Sequence, residues 1–182
     1  MNANTKFGFI PVSSSITQTP IEEMIGELIP SLHSLGGEQL TDEMINVPLP
    51  VYYLIVTGGT EEKVLTLQQE REKFAKNEPV LLLAHPGNNS LPAALEILAR
   101  LNQDGEKGKI IYLDDNTNKG WQDELEKIIN QHTVFNQLKN TKIGLIGEPS
   151  DWLVASIPEL STIKNVWGPS VIKIALEELK PY

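Results

Sequence analysis

The sequence predicts an α/β fold with an open, three-layer and mostly parallel sheet, wound on both faces by helices. Short apolar runs alternate along the chain with longer segments of helical periodicity, which is typical of this class. The runs are continuously apolar and lack the polar alternation of a half-exposed antiparallel sheet. With 182 residues, the chain is shorter than the roughly 250 residues of a closed (β/α) barrel. We therefore expect a single α/β domain over residues 1–182.

The first strand and helix are predicted from the N-terminal third of the chain. The apolar run Lys6–Val12 reads as a strand. Thr19-Pro20-Ile21-Glu22 has the spacing of a capping box, which predicts that a helix begins there. Apolar residues recur at helical spacing from Ile21 to Leu32, but Pro30 falls inside this pattern. A kink or an early end near Ile29 is therefore expected.

The rest of the chain continues the alternation. Apolar runs predict strands at Pro50–Val56, Pro79–Ala84, Lys109–Leu113, Lys142–Ile146 and Val171–Leu176. Helical periodicity predicts helices at about 61–76, 91–102 and 120–139. Since the run Pro50–Val56 has no polar residue, its strand is expected to be buried on both faces.

Charge and composition exclude several classes of function. The chain has 15 Lys and Arg against 24 Asp and Glu, a net charge of -9, so it repels nucleic acid and anionic membranes. It has no Cys, which excludes a disulfide scaffold, thiolate catalysis and an iron–sulfur centre. No apolar stretch approaches the roughly 20 residues of a membrane span, and the first residues do not form a signal peptide. We expect a soluble cytoplasmic protein.

Four polar loops follow predicted strands and indicate where a ligand would bind. They are Ser13–Ser15, Thr57–Glu61, His85–Ser90 and Gly147–Trp152. In an open α/β sheet, ligands bind outside the carboxyl ends of the strands. These loops are therefore predicted to form a polar binding edge.

Glu61 and His85 are the candidates from the two central loops. In Thr57-Gly58-Gly59-Thr60-Glu61, the glycines allow a tight turn that presents backbone N–H groups at a helix start. The alternative is an ordinary helix start, with Thr60 as the cap. His85 directly follows a buried strand, where it could bind a hydroxyl, move a proton or bind a metal ion. The alternative for His85 is a hydrogen bond to nearby backbone.

Asn89, Ser150 and Trp152 complete the set of candidate substrate-binding residues. An Asn side chain both donates and accepts hydrogen bonds, which suits hydroxyl groups, although one residue of this loop must cap the following helix. Ser150 would cap a short helix, and Trp152 could either pack in the core or offer a flat face to a sugar ring. The sequence contains no G-x-S-x-G motif, no marked carboxylate pair and no His-x-x-x-His pair. We therefore assign no catalytic residue and no metal site.

Four segments together carry a resemblance to a known family. They are TGGTE (57–61), NNSLPAALEILARL (88–101), IGEPSDWLVAS (146–156) and VWGPSVIKIALEEL (166–179). In this order and spacing they resemble the N-terminal part of L-fucose isomerase-like and L-arabinose isomerase-like sugar isomerases. The resemblance implies a Rossmann- or flavodoxin-like domain of an enzyme that interconverts aldoses and ketoses. It also implies assembly into homo-oligomers.

The resemblance also limits what this chain can do alone. The family's divalent cation, usually Mn²⁺, is bound by residues of later domains, so no cofactor is expected on this chain. The chain would then contribute substrate access and oligomer contacts, without isomerising the sugar itself. The ending Pro181-Tyr182 looks like an interrupted crossover, so we expect the natural protein to continue.

Two alternatives remain at this stage. A stand-alone, non-catalytic module that binds a sugar or a protein partner needs only the polar edge. A flavin or nucleotide site is disfavoured, because Ser13–Ser15 is the only candidate phosphate loop after the first strand and Pro11 precedes it.

Overall fold

Five parallel strands form the central sheet of the computed structural model, which describes residues 5–118, 120–156 and 158–179. The strands are β1 (Phe7–Val12), β2 (Gly37–Gln39), β3 (Val51–Ile55), β4 (Val80–Ala84) and β5 (Gly108–Tyr112). Their order across the sheet is β2-β1-β3-β4-β5, and every neighbouring pair is parallel. This is the flavodoxin-like order of doubly wound folds. The predicted fold class is confirmed.

Helices cover both faces of this sheet and bury its apolar side chains. They are α1 (Ile21–Ile25), α2 (Leu28–Ser34), α3 (Glu61–Phe74), α4 (Ser90–Gln103) and α5 (Trp121–Asn140). Trp121 and Leu125 of α5 pack with α1 and α2 on one face, whereas Val64 of α3 and Ile97 of α4 pack on the other. All five residues of β3 are buried, as its apolar sequence predicts. Each large apolar side chain contributes about 1.5–3 kcal/mol when fully buried.

The first helix departs from the prediction in where it breaks and how it begins. The apolar stripe is divided into α1 and α2 at Gly26, one turn before Pro30. Inside a helix, proline lacks the N–H of the helical hydrogen bond and clashes with the carbonyl four residues earlier. In the first turn there is no such helical carbonyl, so Pro30 is tolerated near the start of α2. Helix α1 begins after Pro20 without a side-chain cap, so the predicted capping box at Thr19 is wrong.

A second, smaller unit follows the five-stranded sheet. By internal contacts the chain divides into Met1–His132 and Thr133–Tyr182, and the division falls within α5. The second unit holds β6 (Lys142–Ile146), α6 (Leu160–Trp167) and β7 (Ser170–Ile174), with β6 parallel to β7. The expectation of one domain over 1–182 stays a prediction. The predicted interrupted crossover at Pro181-Tyr182 lies outside the described residues.

The second unit leaves its large apolar side chains exposed or only partly buried. None of its large hydrophobic residues is buried within the part that the structure describes. The most exposed are Val154 (95%), Trp152 (77%) and Trp167 (69%). A separate finding concerns the helices: over the described ranges, none is long and apolar enough to cross a membrane.

Candidate functional site

The candidate site lies where the strand order of the five-stranded sheet reverses. From β1 the chain proceeds to β2 on one side, and it then returns to β3 on the other side of β1. The connections after β1 and β3 therefore lead to helices on opposite faces of the sheet, which creates the crevice where ligands bind in such folds. A cavity of about 690 Å³ lies at this edge. Its polar lining residues are Thr17, Thr19, Thr57, Glu61, Asn88, Asn89 and Glu96.

Thr57 forms a buried part of the cavity wall. It directly follows the extension of β3, and only 6% of its surface is exposed. Its Oγ1 accepts a hydrogen bond from the backbone N–H of Ser14 at 2.8 Å. Among the described residues, no acceptor is found for the Thr57 O–H. This hydroxyl is therefore positioned by the loop after β1 and still able to donate to a ligand.

The two glycines give the loop after β3 its shape. Gly59 has a φ of 74°, a left-handed conformation that favours glycine. Its N–H donates to Oε1 of Glu61 at 3.3 Å, which turns the Glu61 carboxylate back over the loop. The N–H of Gly58 donates to the carbonyl of Asn88 at 2.8 Å and joins this loop to the loop after β4. Thr60 does not cap α3, since its hydroxyl donates to the Thr57 carbonyl.

Asn89 has the position of a helix cap without making the capping bond. It precedes α4, and its side chain forms no capping hydrogen bond. Asn88 and Asn89 both have left-handed backbones, with φ of 55° and 57°. Both are exposed and line the cavity. The amide of Asn89 is therefore available to a ligand, and capping does not account for it.

His85 is buried and bonded to backbone through both ring nitrogens. Nε2 lies 2.9 Å from the carbonyl oxygen of Val56, and Nδ1 lies 3.2 Å from the backbone nitrogen of Gly87. Since Nδ1 accepts from the Gly87 N–H, the proton of the neutral ring is on Nε2 and is donated to Val56. The His85 N–H in turn donates to the hydroxyl oxygen of Ser90. This is the backbone-bonded alternative, and His85 is not among the residues that line the cavity.

Ser150 and Trp152 belong to the second unit and do not line the cavity. The carbonyl of Ser150 accepts from the N–H of Leu153 in a turn, so the predicted short helix after Ser150 is wrong. Trp152 is largely exposed, so the alternative that it packs in the core is also wrong. Of the three predicted substrate-binding residues in the first unit, Glu61 and Asn89 line the cavity and His85 does not.

The cavity is negatively charged. Glu61 and Glu96 supply carboxylates from α3 and α4, and no Lys, Arg or His is among the lining residues. Sequence reasoning missed Glu96, Thr17 and Thr19. Thr17 and Thr19 follow a predicted strand, so an extension of the Ser13–Ser15 loop could have included them. Glu96 lies in the second turn of α4, and only the packed orientation of that helix brings it to the cavity.

Comparison of the sequence with models of protein families and with curated proteins finds no match. The resemblance to sugar isomerases therefore stays a prediction. Within residues 5–118, 120–156 and 158–179, no three His, Asp or Glu side chains lie close enough together to bind a metal ion.

Proposed function

We propose that the cavity at the carboxyl ends of β1, β3 and β4 binds a small polyhydroxylated ligand, a monosaccharide or related polyol. The observation that carries the proposal is a cavity at the strand-order reversal, lined by hydroxyl, amide and carboxylate groups. Its volume of about 690 Å³ is within the range of about 300–1,000 Å³ of small-molecule sites. Sugar hydroxyls both donate and accept hydrogen bonds. Asn88 and Asn89 can answer both roles, and Thr57 offers a donor.

The charge of the cavity favours a neutral ligand over an anionic one. Glu61 and Glu96 accept hydrogen bonds from hydroxyl groups, and bonds to charged acceptors are the stronger ones. The same carboxylates would repel a phosphate, and the described lining residues include no cationic side chain to compensate. The net charge of -9 acts in the same direction. The ligand is therefore an unphosphorylated sugar or polyol.

The resemblance to sugar isomerases supports a wider proposal. In a longer aldose–ketose isomerase, this cavity would bind or guide the sugar, while Mn²⁺ and its ligands would come from other domains. Homo-oligomer contacts and a cytoplasmic location belong to the same proposal. For this chain by itself, we propose binding without isomerisation, because no described cluster of residues could hold the metal ion.

Amide chemical-shift titration tests the binding proposal. Adding L-arabinose or L-fucose to ¹⁵N-labelled protein is expected to shift the amide signals of Thr57–Glu61 and Asn88–Ser90. Arabinose 5-phosphate is the matched anionic probe and is expected to bind more weakly than arabinose. Shifts confined to other parts of the chain, or tighter binding of the phosphate, would contradict the proposal.

A pair of neighbouring variants isolates the contribution of the cavity carboxylate. Glu61→Gln keeps an oxygen that can accept from the Gly59 N–H but removes the charge. It is expected to weaken sugar binding roughly ten-fold, since a hydrogen bond to a charged group contributes about 1.5–3 kcal/mol. Glu62→Gln makes the same change one residue away, at an exposed position outside the cavity. Glu62→Gln should leave sugar binding unchanged. Equal losses of affinity in both variants would contradict the role of the Glu61 carboxylate in binding.

A further inference from the structure

The segment Ser13–Pro20, here called the β1–α1 loop, forms one wall of the cavity and is held almost entirely at its start. Thr17 and Thr19 line the cavity. Ser14 provides the tether, since its N–H donates to Thr57 Oγ1 at 2.8 Å. Two other hydrogen bonds found for this loop in the described structure are internal, from the N–H groups of Ile16 and Thr17 to Ser14. At its end, the carbonyl of Pro20 accepts from the N–H of Glu23 in α1. Between Ser14 and Pro20, the described hydrogen bonds therefore join the loop only to itself.

The exit of the loop does not stiffen it. Helix α1 has five residues and no side-chain cap, and it breaks at Gly26. The buried Ile25 anchors its far end in the core. The free part of the loop thus lies between the Ser14 tether and the start of α1. Segments with few buried apolar contacts and few backbone hydrogen bonds open and close at low cost.

The exposed apolar side chain of Ile16 is the feature of this loop that the present conformation does not explain. Its side chain is 88% exposed, and the next residue, Thr17, lines the polar cavity. Pro92 and Ala93 of α4 give the cavity an apolar strip among its polar groups. The carbon-bound hydrogens of a sugar ring are apolar as well. Moving Ile16 over an occupied cavity would remove its aliphatic surface from water, which is favourable.

We propose that the β1–α1 loop closes over a ligand in the cavity and that Thr57 links ligand binding to this closure. The inference rests on the proposed function. The Thr57 O–H donates to the ligand, while its oxygen accepts from Ser14. Hydrogen bonds in such a chain strengthen one another, so a ligand on Thr57 tightens the Ser14 tether. Closure then places Ile16 over the ligand and excludes water.

Hydrogen exchange with and without L-arabinose tests this link. In the wild-type protein, the sugar is expected to slow amide exchange of residues 14–17 several-fold. Thr57→Val keeps the shape of the side chain but removes the hydroxyl, so this protection should be lost, and Thr57→Ser should restore it. Thr66→Val is the control, because the Thr66 hydroxyl bonds within α3 to the Glu62 carbonyl, outside the cavity.

A surface variant keeps the test independent of folding. Ile16→Ser is expected to raise the rate of sugar dissociation about ten-fold, since it removes most of the aliphatic surface that closure buries. Leu95→Ser, on an exposed site of α4 outside the cavity, should not change that rate. Sugar binding without protection of residues 14–17 overturns loop closure and leaves the proposed function standing. Absence of any sugar-induced shift overturns both.

Discussion

Replacing Arg71 with methionine is expected to destabilise the first unit by about 4–6 kcal/mol. Arg71 lies in α3 and is 2% exposed. Its guanidinium binds both carboxylate oxygens of Glu78, at 2.7 and 2.9 Å. It also donates to the carbonyls of Ile45, Val47 and Leu49 at 2.6–2.8 Å. One side chain therefore fixes the end of α3 to the segment that enters β3.

The magnitude follows from what the substitution leaves behind. Glu78 is 8% exposed, and breaking a buried ion pair by removing one partner costs about 3–5 kcal/mol. The three carbonyls lose their donor, at about 1 kcal/mol each where water cannot replace it. Val47 and Leu49 are only partly buried, so water relieves some of this cost. With about 1 kcal/mol for the buried Ile45 carbonyl, the loss is about 4–6 kcal/mol, a large part of a typical stability of 5–15 kcal/mol.

Urea unfolding followed by tryptophan fluorescence measures this loss. Trp121 is buried in the first unit, whereas Trp152 and Trp167 are already largely in water, so the change in emission reports mainly on Trp121. Arg100→Met is the control, because the exposed Arg100–Asp104 pair contributes about 1 kcal/mol or less.

A double variant separates the cost of the unpaired Glu78 carboxylate from the cost of the lost hydrogen bonds to the three carbonyls. Arg71→Met combined with Glu78→Leu removes the unpaired carboxylate and should recover part of the stability lost in Arg71→Met. A loss below about 1 kcal/mol in the single variant, or a double variant that is no more stable than the single one, would refute the reasoning.

Three further predictions concern pH, backbone strain and close packing. Burial lowers the pKa of His132, whose Nδ1 lies 3.0 Å from the Tyr52 hydroxyl oxygen, so protonation opposes folding. Stability should be complete above the ordinary pKa of 6.5 and fall as the pH drops below it, and His132→Gln should flatten that fall in urea titrations. Asn89→Gly should weaken sugar binding without loss of stability, because glycine accepts the left-handed backbone. Asn77→Gly, also at a left-handed position (φ 60°), should leave binding unchanged in the same titration. Gly37→Ala should lower the thermal midpoint by several degrees. The added methyl group would lie 2.6 Å from the buried ring of Phe7 and 2.8 Å from the carbonyl oxygen of Leu32, which is too close for either.

The central strands could be predicted because parallel strands buried on both faces need continuous apolar sequence. Strand β2 could not, since Gly37, Glu38 and Gln39 form no apolar run and pair with β1 only because of the folded sheet. The same holds for Arg71 and Glu78. In the sequence, Arg71 reads as a surface residue of a polar helix, and Glu78 follows the end of that helix. The backbone that Arg71 binds comes from a segment more than twenty residues earlier.

The sequence predicts those parts of the candidate site that depend only on a residue's position directly after a strand. Glu61 and Asn89 lie in loops that the parallel sheet brings to one edge, and both line the cavity. His85 has the same kind of position, but its ring is directed at the carbonyl of the neighbouring strand extension. That orientation depends on strand register and packing, which the spacing of residues along the chain does not encode.

The order of the strands also bears on when the cavity can form. Every residue that lines it lies between Thr17 and Glu96, and the sheet beneath it is complete at Tyr112. Domains generally fold as units during synthesis, the N-terminal one first. Once residue 132 has left the ribosome, the whole five-stranded unit and its cavity are available to fold. The exposed apolar residues of the second unit, such as Trp152 and Val154, leave the ribosome only after that point.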